Sequence, residues 1–146
     1  MTNGAPNIVP GKAGCILDVR AASAGTIEAA AEAILGAGRA AAGAAGCEFE
    51  ARLTKRLPPA PMDEEVVAAL EAAARDLGPQ APKLVSRAGH DAMSLAPAGV
   101  PCGMLFVASQ RGISHSPLER SSQRDCVLGA EVLGAAVLDL ARHQSP

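Results

Sequence analysis

Three histidines are the scarcest chemical resource in the chain, and two of them fall in polar stretches: His90 in "SRAGHDAMSLAP" and His115 in "GISHSPLER". An imidazole can donate, accept, ligate a metal or carry a proton near neutral pH. On spacing alone, the plainer reading of a lone loop histidine is a solvated or hydrogen-bonded side chain. Asp91 and Glu119 add oxygen donors of the kind that divalent metals take together with imidazole. These residues do not form HExxH, and a proline lies between His115 and Glu119, so spacing alone yields no complete metal site. Ser114 and Ser116 flank His115 without the GxSxG elbow of a serine nucleophile, and no cysteine neighbours a histidine. "GAGRAAAG" has glycines, but it sits inside a helical pattern and fits a small-residue packing surface better than a phosphate loop. A third place for chemistry is "PNIVPGKAGCILDVR", with Asn7 before a Pro-Gly turn and Arg20 at the end of an apolar run. A guanidinium fork with an amide donor can hold a carboxylate. A turn asparagine and a surface arginine are the plainer alternative.

The elements that must position these residues follow from periodicity. "GCILDVRA" reads as a short strand, followed by a helix from Thr26 to about Ala45 that keeps Ile27, Ala30, Ile34 and Leu35 on one face. "CEFEARLTKR" alternates Phe49, Ala51 and Leu53 against Glu48, Glu50, Arg52 and Thr54, as a half-buried strand does. "LPPAP" (57–61) can continue neither a helix nor a central strand and marks a boundary. Beyond it, Asp63 can cap a helix that turns Val66, Val67, Leu70, Ala74 and Leu77 inward and stops at Gly78-Pro79. "KLVS" and "CGMLFVAS" read as buried strands, residues 90–96 as a short helix between them, and Ser121 to His143 as a long closing helix. The second part is then α/β, with His90 and His115 in loops that follow strands, where such sheets hold their sites.

Composition narrows the classes. The 146 residues are 49% hydrophobic yet include two Phe, no Trp and no Tyr, so a core must be built from small and aliphatic side chains. Such a core buries less area per residue than one with aromatic rings. A net charge of -2 and the lack of a basic run with interleaved aromatics argue against nucleic acid as a partner. No secretory leader and no run of eighteen uncharged apolar residues is found, which argues against a membrane. Four cysteines without a CxxC pair read as reduced, mostly buried thiols in the cytoplasm.

Taken in order, "NIVPG…LDVR", "SRAGHDAM" and "GMLFVASQRGISHSPLE" followed by "GAEVL" resemble one family. It is the zinc-dependent amidohydrolases comprising N-carbamoyl-L-amino-acid hydrolase, allantoate amidohydrolase and fungal-type β-ureidopropionase. The resemblance covers nearly the whole chain and matches the carboxyl-terminal third of those enzymes. It implies an α/β fold: part of a metallo-exopeptidase-like three-layer sandwich, preceded by half of an α+β lid and dimerisation domain. Residues 1–57 would be the second half of the lid, 58–61 a linker, and 62–146 the closing part of the catalytic domain.

By the same resemblance, His115 would be a metal ligand, Gly89 and His90 would line the pocket, and Asn7 and Arg20 would grip the carboxylate of a small ureido substrate. The complete enzymes would hold two divalent ions, zinc or else manganese or cobalt, and act as homodimers. The implied chemistry is hydrolysis of a linear amide or amidine C–N bond by a metal-activated water. The family's other metal ligands and its glutamate base lie upstream of "NIVPG", so the resemblance implies a chain that works with a missing amino-terminal part. Arg87 stands where the family usually has glycine, and Ala108 where proline is common. A non-catalytic association module, or an inactive truncated remnant, is the alternative.

Overall fold

The computed structural model of the chain describes Asn7, residues 9–78 and residues 81–143. These divide into two compact units, Met1–Pro58 and Pro59–Pro146, with the division inside the proline-rich stretch.

The first unit is organised by one helix, α1 (Ala24–Ala44). Ser23 opens it: the hydroxyl accepts the Thr26 N–H at 3.2 Å, filling one of the donors that a helix start leaves empty. Gly46 closes it at φ +67°, with Gly46 N–H on Gly43 O and Cys47 N–H on Ala42 O at 2.8 Å. That pair of bonds is the Schellman closure, which needs a left-handed residue and so favours glycine. Ile27, Ala30, Ala31, Leu35, Gly38 and Ala42 form the partly covered face of α1, spaced by three and four residues. Phe49 lies over this face at Gly38, where a Cβ would come within 2.7 Å of the ring. Arg39 sits 6.0 Å from the centre of the same ring, and Arg56 pairs with Glu28.

The second unit is built on α2 (Glu64–Leu77) and α4 (Gln123–His143). The Asp63 carboxylate accepts from Glu65 N and Val66 N, each at 3.0 Å, and Glu64 and Glu65 add negative charge where the helix dipole favours it. Gly78 ends α2 at φ +107°; Pro79, expected just beyond this stop, lies outside the described residues. Ser122 starts α4 by accepting the Asp125 N–H at 3.1 Å while donating to the Asp125 carboxylate at 2.6 Å. The helices meet through Ala69, Leu70, Ala73 and Ala74 on α2 and Val132 and Ala136 on α4, edged by Val66, Leu105, Leu128, Ala135 and Leu140. Four of the six buried side chains are alanine methyls. The contact is close, but each residue removes little apolar area from water, at about 25 cal/mol per Å². Between the two helices run α3 (Ala92–Leu95), a 3₁₀ turn at Ala96–Ala98 and a second at Gln110–Gly112.

The strands expected from the sequence are not formed among the described residues. "GCILDVRA", "CEFEARLTKR", "KLVS" and "CGMLFVAS" are irregular chain, so the α/β sandwich layers are absent there and the architecture is helical. Alternation marks a segment that could be a strand, but a strand exists only when its N–H and C=O groups meet those of a neighbour. Outside the helices, the described backbone bonds are those of caps and turns, together with Asp63 N–H to Cys102 O and Gln110 N–H to Arg120 O, both at 2.8 Å. Phe49, expected on the inner face of a strand, instead covers α1 of its own unit. The cysteine expectation is also corrected: Cys102 is buried, whereas Cys15, Cys47 and Cys126 are exposed. The last three lie on segments or faces that gain no cover in these small units.

Candidate functional site

His90 stands at the mouth of α3, its carbonyl accepting the Met93 N–H at 2.9 Å. The approach to it is a tight turn. Ser86 Oγ accepts the N–H of Ala88 at 3.2 Å, folding the chain back over Arg87, which is held at φ +57°. Glycine adopts that backbone without cost, whereas an L-residue is strained by roughly 1 kcal/mol. This gives a physical reason for the glycine that the motif resemblance led us to expect at this position. The turn brings Ser86 Oγ to 2.8 Å from His90 Nε2, and the imidazole meets Phe106 edge to face, with ring centres 5.6 Å apart and planes at 65°. His90 is therefore half-buried between a hydroxyl and a ring, with Gly89 exposed beside it. Neither Ser86 nor Phe106 stands out in the sequence as a site residue. A serine two residues before the N–H that it can bind is the one clue to such a turn.

His115 is exposed and also lies in the left-handed region, at φ +57°. Its N–H donates to Glu119 Oε2 at 2.8 Å and its Nδ1 lies 2.7 Å from Ser114 Oγ. Glu119 thereby ties the loop closed through the backbone. Among the described residues, His90 and His115 hydrogen-bond to different groups.

Asn7 and Arg20 belong to the first unit and are both exposed. The Arg20 guanidinium is engaged by Asp18, with Nε at 3.1 Å from both carboxylate oxygens and one Nη at 2.6 Å. This bond holds the Asp18 carboxyl below its ordinary pKa of 3.8 and raises that of Arg20. A substrate carboxylate taking the fork of Arg20 would displace Asp18.

Among the described residues, no three His, Cys, Asp or Glu side chains converge as a metal site would need. His115 has the Glu119 carboxylate bound to its backbone N–H, but no third ligand joins them, and a dinuclear centre does not fit the described residues. An open cavity of about 690 Å³ lies between the end of α2 and the start of α4, lined by Leu77, Gly78, Gln123, Arg124, Val127, Leu128 and Glu131. It includes none of the five candidate residues. No helix among the described residues is long and apolar enough to cross a membrane.

Against known proteins, residues 2–139 match the model of Peptidase family M20/M25/M40. An N-carbamoyl-L-amino acid amidohydrolase of Geobacillus stearothermophilus is 36% identical over 141 residues, which is 97% of this chain and 34% of that protein. An allantoate amidohydrolase of Escherichia coli is 32% identical over 92% of this chain and 33% of its own length. An allantoate amidohydrolase of Bacillus subtilis is 41% identical over 59% of this chain and 21% of its length. The matched part of the chain thus spans 21–34% of the length of these relatives. No solved structure matches it.

Proposed function

The chain belongs to peptidase family M20/M25/M40, and from that premise we propose that it supplies the substrate-holding part of an amidohydrolase acting on linear amide or amidine C–N bonds. The observation that carries this reading is the similarity to an N-carbamoyl-L-amino acid amidohydrolase along 97% of the chain. The substrate class is an N-carbamoyl-L-amino acid or allantoate. In this reading His90 hydrogen-bonds the ureido oxygen from its place between Ser86 and Phe106, with Gly89 leaving room beside it. Arg20 and Asn7 take the substrate carboxylate, a role that the bidentate habit of arginine suits. His115 is offered as one metal ligand.

The family is generally metal-dependent. The described residues do not build a metal centre by themselves. This chain then works with a further polypeptide part, in a homodimer or with an amino-terminal companion, that completes the centre with zinc, manganese or cobalt.

The test is ammonia release from N-carbamoyl-L-amino acids and from allantoate. The chain is assayed alone and mixed with a polypeptide covering the first two-thirds of a relative, alongside calorimetric titration of the chelator-treated chain with zinc and manganese. Activity only in the mixture is expected. Tight binding of two ions by the chain alone would refute the incomplete-part reading, and a mixture inert toward both substrates would refute the amidohydrolase reading.

One observation favours a second reading, that of an association module without catalysis. Ile16 is 97% exposed, Leu53 77% and Leu84 69%, each on a segment that reads as a strand and pairs with no other strand among the described residues. Exposed apolar side chains on unpaired segments invite association. Oligomers that persist in chelator, with no substrate binding, would decide for it.

A further inference from the structure

The turn before α3 contains a serine whose hydroxyl serves two masters. Ser86 Oγ accepts the N–H of Ala88 at 3.2 Å, which commits one lone pair. Its own proton has two acceptors in reach: His90 Nε2 at 2.8 Å and Ala88 O at 3.4 Å. The first is at the usual length of a hydroxyl hydrogen bond, whereas the second lies beyond the ordinary range of about 2.5–3.0 Å. The proton is best used on the imidazole. Nε2 is then the acceptor of a neutral ring, and the ring's own proton sits on Nδ1. Phe106, edge to face at 5.6 Å, limits how the ring can turn away from this bond.

We propose that Ser86 is a positioning residue for His90: its hydroxyl fixes the imidazole in the Nδ1–H tautomer, so that a neutral His90 presents a single directed donor to an oxygen of the ligand. This deepens the amidohydrolase reading and rests on it for the identity of that ligand, a ureido oxygen. A neutral donor suits a neutral carbonyl oxygen, and the tautomer decides which ring nitrogen can give a proton to it. The strained backbone of Arg87 lies inside the same turn, so the geometry that aims Ser86 is maintained against a local cost.

The experiment is ¹⁵N-edited NMR of the histidine side chains in the full chain, above the pH at which the imidazoles are protonated. His90 is assigned by loss of its signals in His90→Gln. Wild type is expected to show the Nδ1–H pattern at His90. Ser86→Ala is expected to lose that pattern in favour of Nε2–H, and Ser86→Thr, which keeps the hydroxyl, to retain it. The α2 and α4 amide signals report that each variant is folded. A His90 already in the Nε2–H form, or unchanged by Ser86→Ala, overturns the proposal.

Titration with N-carbamoyl-L-alanine separates the two claims. A tautomer held by Ser86 together with binding that weakens several-fold in Ser86→Ala supports both. A tautomer held by Ser86 with no binding leaves the positioning intact and refutes the substrate reading.

Discussion

Replacing Gly103 with alanine should destabilise the second unit and disturb the ring beside His90. A Cβ at this position would lie 2.5 Å from Val66 Cγ1 and 3.3 Å from Leu70 Cδ1, whereas carbon atoms rest about 3.5–4.0 Å apart. One neighbour must therefore retreat by roughly 1 Å. Val66 cannot swing clear, because a β-branched side chain in a helix has one strongly preferred rotamer. The backbone cannot easily retreat either: Asp63 N–H holds Cys102 O at 2.8 Å, immediately before Gly103. Overpacking of this kind costs about 1–3 kcal/mol. The lower entropy of an alanine chain in the unfolded state returns about 0.4–1 kcal/mol, so the net effect is a loss. Urea unfolding followed by circular dichroism should show a lower midpoint with an unchanged slope. Val66→Ala, which removes the obstructing methyl, should recover part of the loss in the double variant. The segment continues from Gly103 to Phe106, so the ring-current shift at His90 should also change. A Gly103→Ala chain as stable as wild type, with no coupling to Val66→Ala, would refute the packing argument.

Other outcomes follow from the same physics. Gly134 lies within α4 with open space around the site of a Cβ, so Gly134→Ala should raise stability by about 0.5–1 kcal/mol in the same unfolding assay. Gly129→Ala, on the same helix, should gain less or lose, because its Cβ would come within 2.8 Å of Val107. Asp63→Ala should cost about 1 kcal/mol, with the first amides of α2 exchanging faster, since Asp63 accepts from both Glu65 and Val66. Asp18 titrates below 3.8 because of Arg20, so the contribution of the pair is present above that pH and is lost as pH falls through the lowered value. Both groups are exposed, and the effect should appear as a carboxyl NMR titration that moves upward in Arg20→Ala.

What the sequence disclosed depends on whether the information is local. Asp63 before an apolar periodic run, Gly78 after it, and the pattern from Ser121 to His143 contain their own start and stop chemistry, and α2 and α4 lie where that chemistry puts them. Phe49, Leu53, Leu84 and Phe106 sit in runs that read as strands, but pairing is a property of two segments and no single run encodes its neighbour. The burial of cysteines fails for the same reason: a thiol becomes buried only when another element covers it. At the candidate site, the motifs located His90 and His115, but the hydroxyl contact from Ser86 depends on the left-handed backbone at Arg87, which no residue preference announces. Asn7, Arg20, Gly89, His90 and His115 each have a defined place in their unit.

The alanine-rich contact between α2 and α4 has a consequence for how this unit can change over generations. Ala69, Ala73, Ala74 and Ala136 have almost nothing to lose by becoming smaller and no room to become larger. Drift at these positions is therefore one-sided: glycine is admitted at about 0.5–1 kcal/mol, while valine or leucine forces the helices apart. A lineage under such a constraint cannot strengthen the unit by enlarging its core. New stability has to enter at helix ends, at open glycines such as Gly134, or through whatever comes to cover the bare apolar side chains outside.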